Sequence, residues 1–255
     1  MTVLRLRPGN AVLASLSPAD RGLLQRHLEP VTLTLRQRLE TSNHRISDIY
    51  FLERGLASVI AHGKGERKQA EVAIIGRDGM TGLAVVLGVD RSPHDTFMQV
   101  PGEAQCIRAN ALRGVMEQSR SVSTCLLRYA QAFLVQAGHT ALAHARGKIE
   151  ERLARWLLMA HDRLEGDELH LTHEFLSVML GVRRAGVTTA LHHLECAGLI
   201  STGRCSVTVI DRDGLEQNAN GLYGVPEAEL QRLLINCRAS SAEPTDLQVP
   251  SSQAT

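Results

Sequence analysis

The stretch that most constrains this chain runs from Leu169 to Cys205, where two short apolar-patterned segments meet at a glycine. Thr172 can cap a helix from Glu174 to Leu180, with Phe175, Leu176 and Leu180 apolar. Gly181 follows, and a tight turn between crossing helices needs a residue free to take positive φ. A second helix is expected from about Arg184 to Ala197, burying Val187, Leu191 and Leu194 and stopped by Gly198. Two short helices joined by a glycine-containing turn make a helix-turn-helix. Ile200 to Ile210 is β-prone on either side of Gly203-Arg204, which predicts a hairpin, or wing, after the second helix.

The second helix and its start present Arg183, Arg184, Thr188, Thr189, His192 and His193, with no acid before Glu195. Such a face offers donors to a DNA major groove: arginine can bond guanine O6 and N7, and threonine can meet a thymine methyl. Thr172, His173 and Arg204 of the wing are the expected phosphate contacts. A merely solvated helical hairpin is the competing reading of the two helices alone.

Upstream the character changes twice. Ser17-Pro18-Ala19-Asp20 opens a short helix carrying Leu23, Leu24 and Leu28. From Val31 to about Ile107 come short β-prone runs at 31–35, 48–52, 57–60, 71–75 and 96–100, punctuated by Gly55, Gly63, Gly65, Gly76, Gly79 and Gly102. That spacing predicts an antiparallel sandwich or barrel. After Asn110 the pattern is helical: a short helix with Leu112, Val115 and Met116, then a long one from about Val122 to His144, about 34 Å at the standard rise.

The long helix carries two apolar stripes. One is Val122, Leu126, Tyr129, Phe133, Thr140 and Ala143; the other is Leu127, Ala130, Leu134, Ala137 and Ala141. A helix apolar on two sides has two things to bury against, here its own sandwich and a partner helix, unless it is simply a core helix. Leu126, Tyr129, Phe133, Ala137 and Thr140 are the residues expected at the partner contact.

Composition narrows the function classes. An apolar fraction of 44% in 255 residues supports a real core, with aromatics at only 3%. A net charge of +1 gives no bulk electrostatic case for nucleic acid, so any such case rests on local geometry. No leader-like or membrane-length apolar run is expected, and cytoplasmic location is the default. The five cysteines, Cys106, Cys125, Cys196, Cys205 and Cys237, form no CxxC pair, which disfavours zinc and a disulfide framework. His44, His62 and His94 lack metal-ligand spacing. No cofactor, metal or catalytic residue is expected. Cys196 and Cys205 are placed where oxidation would add charge against approaching phosphates.

From about Ala11 to Gly214 the sequence resembles the Crp/Fnr family of bacterial regulators. Asp48 to Val59 is similar to the family's strand, glycine turn and strand around Gly55, and Leu171-Thr172 through Leu199-Ile200-Ser201 matches its helix-turn-helix without gaps. The resemblance implies an α+β chain. An N-terminal antiparallel β-roll of cyclic-nucleotide-binding type spans 11–120, a dimerisation helix 121–146 and a winged helix-turn-helix 147–236; by its Ser, Ala, Pro and Gln composition, 238–255 is expected to be a disordered tail. The resemblance further implies a homodimer on a palindromic double-stranded site, with RNA polymerase as a further contact.

Two departures carry weight. Family members that bind cyclic nucleotide use a Gly-Glu-Leu stretch for the ribose and an Arg-Ser/Thr-Ala stretch for the phosphate. Here these read Gly82-Leu83-Ala84 and His94-Asp95-Thr96, where Asp95 would repel a phosphate. Arg91-Ser92 nearby leaves a cyclic-nucleotide-responsive regulator as one alternative, and a metal-dependent cupin-type enzyme is another. At the base-reading positions the usual Glu and Arg, four residues apart, are replaced by Ala185 and Thr189, while Arg184 keeps the first arginine of the set. A different operator is expected.

Overall fold

Short alternating runs separated by glycine turns can pair only with their neighbours in space, and the chain does so in two antiparallel sheets. The computed structural model describes residues 9–64 and 69–240. Two short helices open it, α1 (Ala11–Ser15) and α2 (Pro18–Gln25), the second capped by Ser17 as expected. Strands β1 (Glu29–Leu33), β2 (Arg38–Glu40), β3 (Asp48–Leu52), β4 (Leu56–His62) and β5 (Gln69–Ile75) follow. A single turn, α3 (Leu83–Val86), precedes β6 (Asp95–Val100) and β7 (Gly102–Arg108). One sheet has the order β1-β7-β3, the other β2-β6-β4-β5, all antiparallel. The turn residue Gly65 lies outside the described residues.

Between the sheets sit Leu33, Leu39, Leu52, Ala57, Val59, Ala73, Ile75, Met98 and Ala104. Gly55 turns β3 into β4 at φ +84°, and a Cβ there would come within 2.6 Å of the Val100 carbonyl oxygen. Strands β2 and β7 were not expected. β7 is the central strand of its sheet, yet its sequence, Gly-Glu-Ala-Gln-Cys-Ile-Arg, has no clean alternation. Pro30 is tolerated because β1 is an edge strand of the same sheet.

The helical half begins with α4 (Ala109–Gln118) and α5 (Arg120–Arg146), the latter capped by Ser119 and 27 residues long. α5 packs along the β-roll and over α1, α3 and α4. Most of the residues expected at a partner contact are instead covered by the chain itself. Leu126 and Tyr129 are buried within the chain itself, and the Tyr129 hydroxyl bonds both the N–H and the carbonyl of Met80 at 3.1 Å. Phe133 packs on the roll, and Thr140 is buried, accepting a hydrogen bond from Arg155 at 3.2 Å. Ala137 is half-buried. The outward face is instead Leu127, Gln131, Leu134, Gly138, Ala141 and Ala145, all exposed and spaced alternately four and three residues apart.

α6 (Ile149–Arg163), β8 (Glu168–His170), α7 (His173–Leu180), α8 (Arg184–Cys196), β9 (Ile200–Gly203), β10 (Ser206–Val209) and α9 (Arg212–Asn218) make the C-terminal unit, with sheet order β8-β10-β9. Its core is continuous with the roll, since Leu56, Ile60 and Ile74 share one cluster with Leu153, Leu157, Leu176 and Leu191. The chain then leaves this unit. α10 (Val225–Ser240) runs back along α5 and α1, burying Leu234 and Cys237 beside Cys125. The helix passes Arg238, where a disordered tail was expected to start; residues 241–255 lie outside the described residues.

A buried lock joins the two halves. Arg163 of α6 meets Asp78 of the roll at 2.6 Å, both largely buried. Close by, Glu71 of β5 accepts from Ser58 Oγ at 2.5 Å and from Trp156 Nε1 of α6 at 2.6 Å. Burial pushes the Glu71 carboxyl up to about 8, although Ser58, Trp156, Arg155 and Arg163 all pull it down.

Candidate nucleic-acid interface

Each expected element of the helix-turn-helix is formed, and for the expected reasons. Thr172 Oγ1 accepts the Phe175 N–H at 3.1 Å, satisfying one open donor at the start of α7. Gly181 closes α7 at φ +60°, ψ +36°, with its N–H returned to the carbonyls of Ser177 and Val178. Phe175, on the same helix, meets the Trp156 ring edge-on at 5.4 Å, which fastens α7 to α6.

α8 buries Val187, Ala190, Leu191 and Leu194 and presents its other side to solvent. Arg183, Arg184, Thr188, Thr189 and His192 are all exposed there. Neither arginine has an ion-pair partner among the described residues. Thr188 and Thr189 return their hydroxyl hydrogens to the carbonyls of Arg184 and Ala185, at 3.2 and 3.1 Å. That is the usual back-bonding of a helical threonine. His173 Nδ1 lies 3.2 Å from Thr188 Oγ1, so the start of α7 is joined to the exposed face of α8.

His193, one residue further along, is engaged elsewhere. Its Nδ1 lies 3.0 Å from Glu150 Oε1, tying α8 to the start of α6. The backbone N–H of Glu150 itself, and then His193, hold the Glu150 carboxyl below its ordinary range, despite partial burial. Glu195, the one acid on this helix, accepts the Thr202 N–H at 2.7 Å and its hydroxyl at 2.8 Å. These bonds hold its carboxyl below the ordinary range and fix the wing to the end of α8.

The wing differs from expectation by one residue. Gly203 pairs with Ser206, so the hairpin tip is Arg204-Cys205, not Gly203-Arg204. Cys205 takes φ +58°, and its carbonyl accepts the Leu171 N–H at 2.9 Å, linking the tip to the start of α7. Arg204, Cys205 and Cys196 are exposed. The Cys196 sulfur lies 3.5 Å from His192 Nε2.

In the roll, the region expected to bear on nucleotide binding is occupied by the chain's own carboxylates. Glu40 accepts the Gly82 N–H at 2.5 Å and the Thr96 hydroxyl at 3.3 Å, placing a carboxylate at the start of α3. Asp95 accepts the Ser42 N–H at 2.8 Å and contacts Arg38 at 3.3 Å and His62 at 3.0 Å. Arg91 is exposed and paired with its neighbour Asp90 at 3.0 Å. His44 bonds the Ser42 carbonyl, and His94 is lowered by burial and by His62. Among the described residues no three His, Cys, Asp or Glu side chains come together as a metal site. No described helix is long and apolar enough to cross a membrane.

The geometry has clear relatives. Residues 151–218 match the Crp-like helix-turn-helix domain family. No curated protein matches the sequence. Among solved structures, FixK2 from Bradyrhizobium japonicum is 16% identical with a TM-score of 0.65, covering 74% of this chain and 96% of its own. A transcriptional regulator of the Crp/Fnr family from Eubacterium rectale is 17% identical with a TM-score of 0.64, covering 82% and 98%. A CRP-family transcriptional regulator from Thermus thermophilus is 18% identical with a TM-score of 0.62, covering 75% and 97%. Residues 151–218 thus carry a helix-turn-helix domain of the Crp-like type, and the chain shares the fold of these solved Crp/Fnr-family structures.

Proposed function

We propose that this protein is a homodimeric, sequence-specific regulator that reads a palindromic double-stranded site. The observation that carries the reading is the exposed face of α8, bearing Arg183, Arg184, Thr188, Thr189 and His192, whose one acid, Glu195, is bonded to the wing. Arg184 donates to a guanine. The threonine hydroxyls are already bonded within the helix, so their methyl groups are what remains for a thymine. Thr172, His173 and Arg204 take phosphates and set the register. Selection of bound sequences from a random pool with the full-length protein should return a two-fold symmetric site. Arg184→Ala should then lose about 1–3 kcal/mol of affinity for it and relax preference at one position of each half-site. Wild-type affinity for the selected site in that variant would remove Arg184 from the reading.

The dimer is supported by the outward stripe of α5. Leu127 and Leu134 are 47% and 55% exposed, and the four-three spacing through Gln131, Gly138, Ala141 and Ala145 is that of a two-helix seam. The small residues at 138, 141 and 145 let two such helices approach closely. On this reading the partner contact is Leu127–Leu134–Ala141, with half-buried Ala137 at its margin. Leu126, Tyr129, Phe133 and Thr140 support it from behind. Leu134→Asp should give a folded monomer by sedimentation and abolish tight binding to the palindrome. A dimer of unchanged stability would overturn the assignment.

Within this scheme residues 11–120 are the sensor-like domain, 121–146 the dimer helix and 147–236 the DNA-binding part, with α10 reaching back to the sensor side. The roll does not bind cyclic nucleotide: Glu40 fills the start of α3, and Asp95 stands where a guanidinium would be needed. RNA polymerase is the further partner, and the protein acts in the cytoplasm without catalysis.

A further inference from the structure

We propose that Cys125 of α5 and Cys237 of α10 form a redox-active pair whose disulfide fastens the C-terminal helix to the long helix. The two thiols come from the middle and the end of the chain and are hydrogen-bonded to each other in one buried cluster, 1% and 5% exposed. The surroundings suit thiol chemistry. Ser15 Oγ lies 3.2 Å from the Cys125 sulfur, and the Cys237 thiol donates to the Leu233 carbonyl oxygen at 3.3 Å. Arg128, one turn along α5 from Cys125, supplies a guanidinium beside Cys237.

These neighbours divide the roles. The Cys125 hydrogen bond and then Arg128 lower the Cys237 thiol to about 6, despite burial, whereas Cys125 is driven strongly upward by its contact with Cys237 and by burial. Cys237 is therefore the thiol of the pair that gives up its proton more readily, and it is the one that attacks once deprotonated. The oxidant is a peroxide. The Cys237 thiolate attacks one peroxide oxygen, the O–O bond breaks, and the leaving hydroxide takes a proton to become water. Cys237 is then a sulfenic acid, and Cys125 sulfur displaces its hydroxyl, which leaves as a second water with the Cys125 proton. Two thiols are oxidised by two electrons, and one peroxide is reduced to two waters.

The other cysteines lack this arrangement. Cys196 and Cys205 are exposed on the DNA-facing side, and Cys106 is held up by burial and by Asp48. The product would close α10 onto α5 covalently, so the chain leaving the winged domain could no longer detach from the sensor side.

The test uses reduced full-length protein treated with one equivalent of hydrogen peroxide. Non-reducing peptide mass spectrometry should find a Cys125–Cys237 cross-link, with the intact mass lower by about 2 Da and restored by dithiothreitol. Amide exchange across residues 225–237 should slow by about tenfold in the oxidised form. Sulfinic or sulfonic acid at either cysteine without the cross-link would overturn the pair. So would oxidation confined to Cys196 and Cys205. A cross-link with unchanged exchange would overturn the fastening.

Discussion

Trp156→Ala should destabilise the protein by about 3–5 kcal/mol, the range for removing a large buried aromatic side chain. Trp156 is 3% exposed and stands in the core that the roll and the winged domain share. Its loss would open a cavity, leave Phe175 without its ring partner and deprive the buried Glu71 of one of its two donors. The last point adds a desolvation cost to the lost packing. Because Trp156 is the one tryptophan of the chain, the measurement is urea unfolding followed by circular dichroism, not fluorescence. A loss below about 1 kcal/mol would mean that the shared core is not where the stability lies.

The second large effect is a pH dependence set by Glu71. Its carboxyl sits at about 8 in the folded protein, against an ordinary value of 4.5. Between those two values the folded state keeps a proton that the unfolded chain has lost. The group's contribution is therefore fully present below the ordinary value and is lost as pH rises through the folded one, at up to about 1.4 kcal/mol per pH unit. Glu71→Gln keeps an oxygen for Trp156 and carries no charge to bury. The variant should match the parent near pH 5 and exceed it by a few kcal/mol (about 2–4) near pH 8.5, read as the difference between two unfolding series. Parallel series would show that Glu71 ionises without cost in the folded protein.

How much of this was legible beforehand depends on where the determining contacts lie. The helix-turn-helix was readable because its signals are local: a threonine cap at Thr172, a positive-φ glycine at 181, and a buried face at 187, 191 and 194. Even its wing was misplaced by one residue, since Gly203 looks like the turn but keeps its pairing with Ser206. Most strands of the roll announced themselves by β-prone runs, whereas β7, with Gly102, Glu103, Ala104 and Gln105 in its first half, carries little β-prone sequence. In α5 the periodicity revealed two apolar stripes, but periodicity carries no information about which one meets the chain's own sheet. Glu71 read as one polar residue in an apolar strand; its burial depends on α6 landing over it, which no local pattern encodes.

α10 is the instructive omission. Leu230, Leu233, Leu234 and Cys237 do fall on one helical face, with Pro226 and Glu227 suited to a first turn. The polar composition of the residues that follow drew the boundary of the tail too early. The nucleotide-site departures were visible as substitutions at 83 and 95, but not that Glu40, from a strand that was itself missed, would supply a carboxylate at the start of α3.

The return of α10 to the N-terminal half has a consequence for how the protein is made. The groove along α1 and α5 is lined by residues translated before the winged domain, yet its cover is translated after it. The sensor-side fold therefore has an unfinished apolar surface throughout synthesis of the winged domain, and it is sealed only once α10 has followed. A chain cut short after α9 would keep its DNA-reading surface and carry its defect at the opposite end of the molecule.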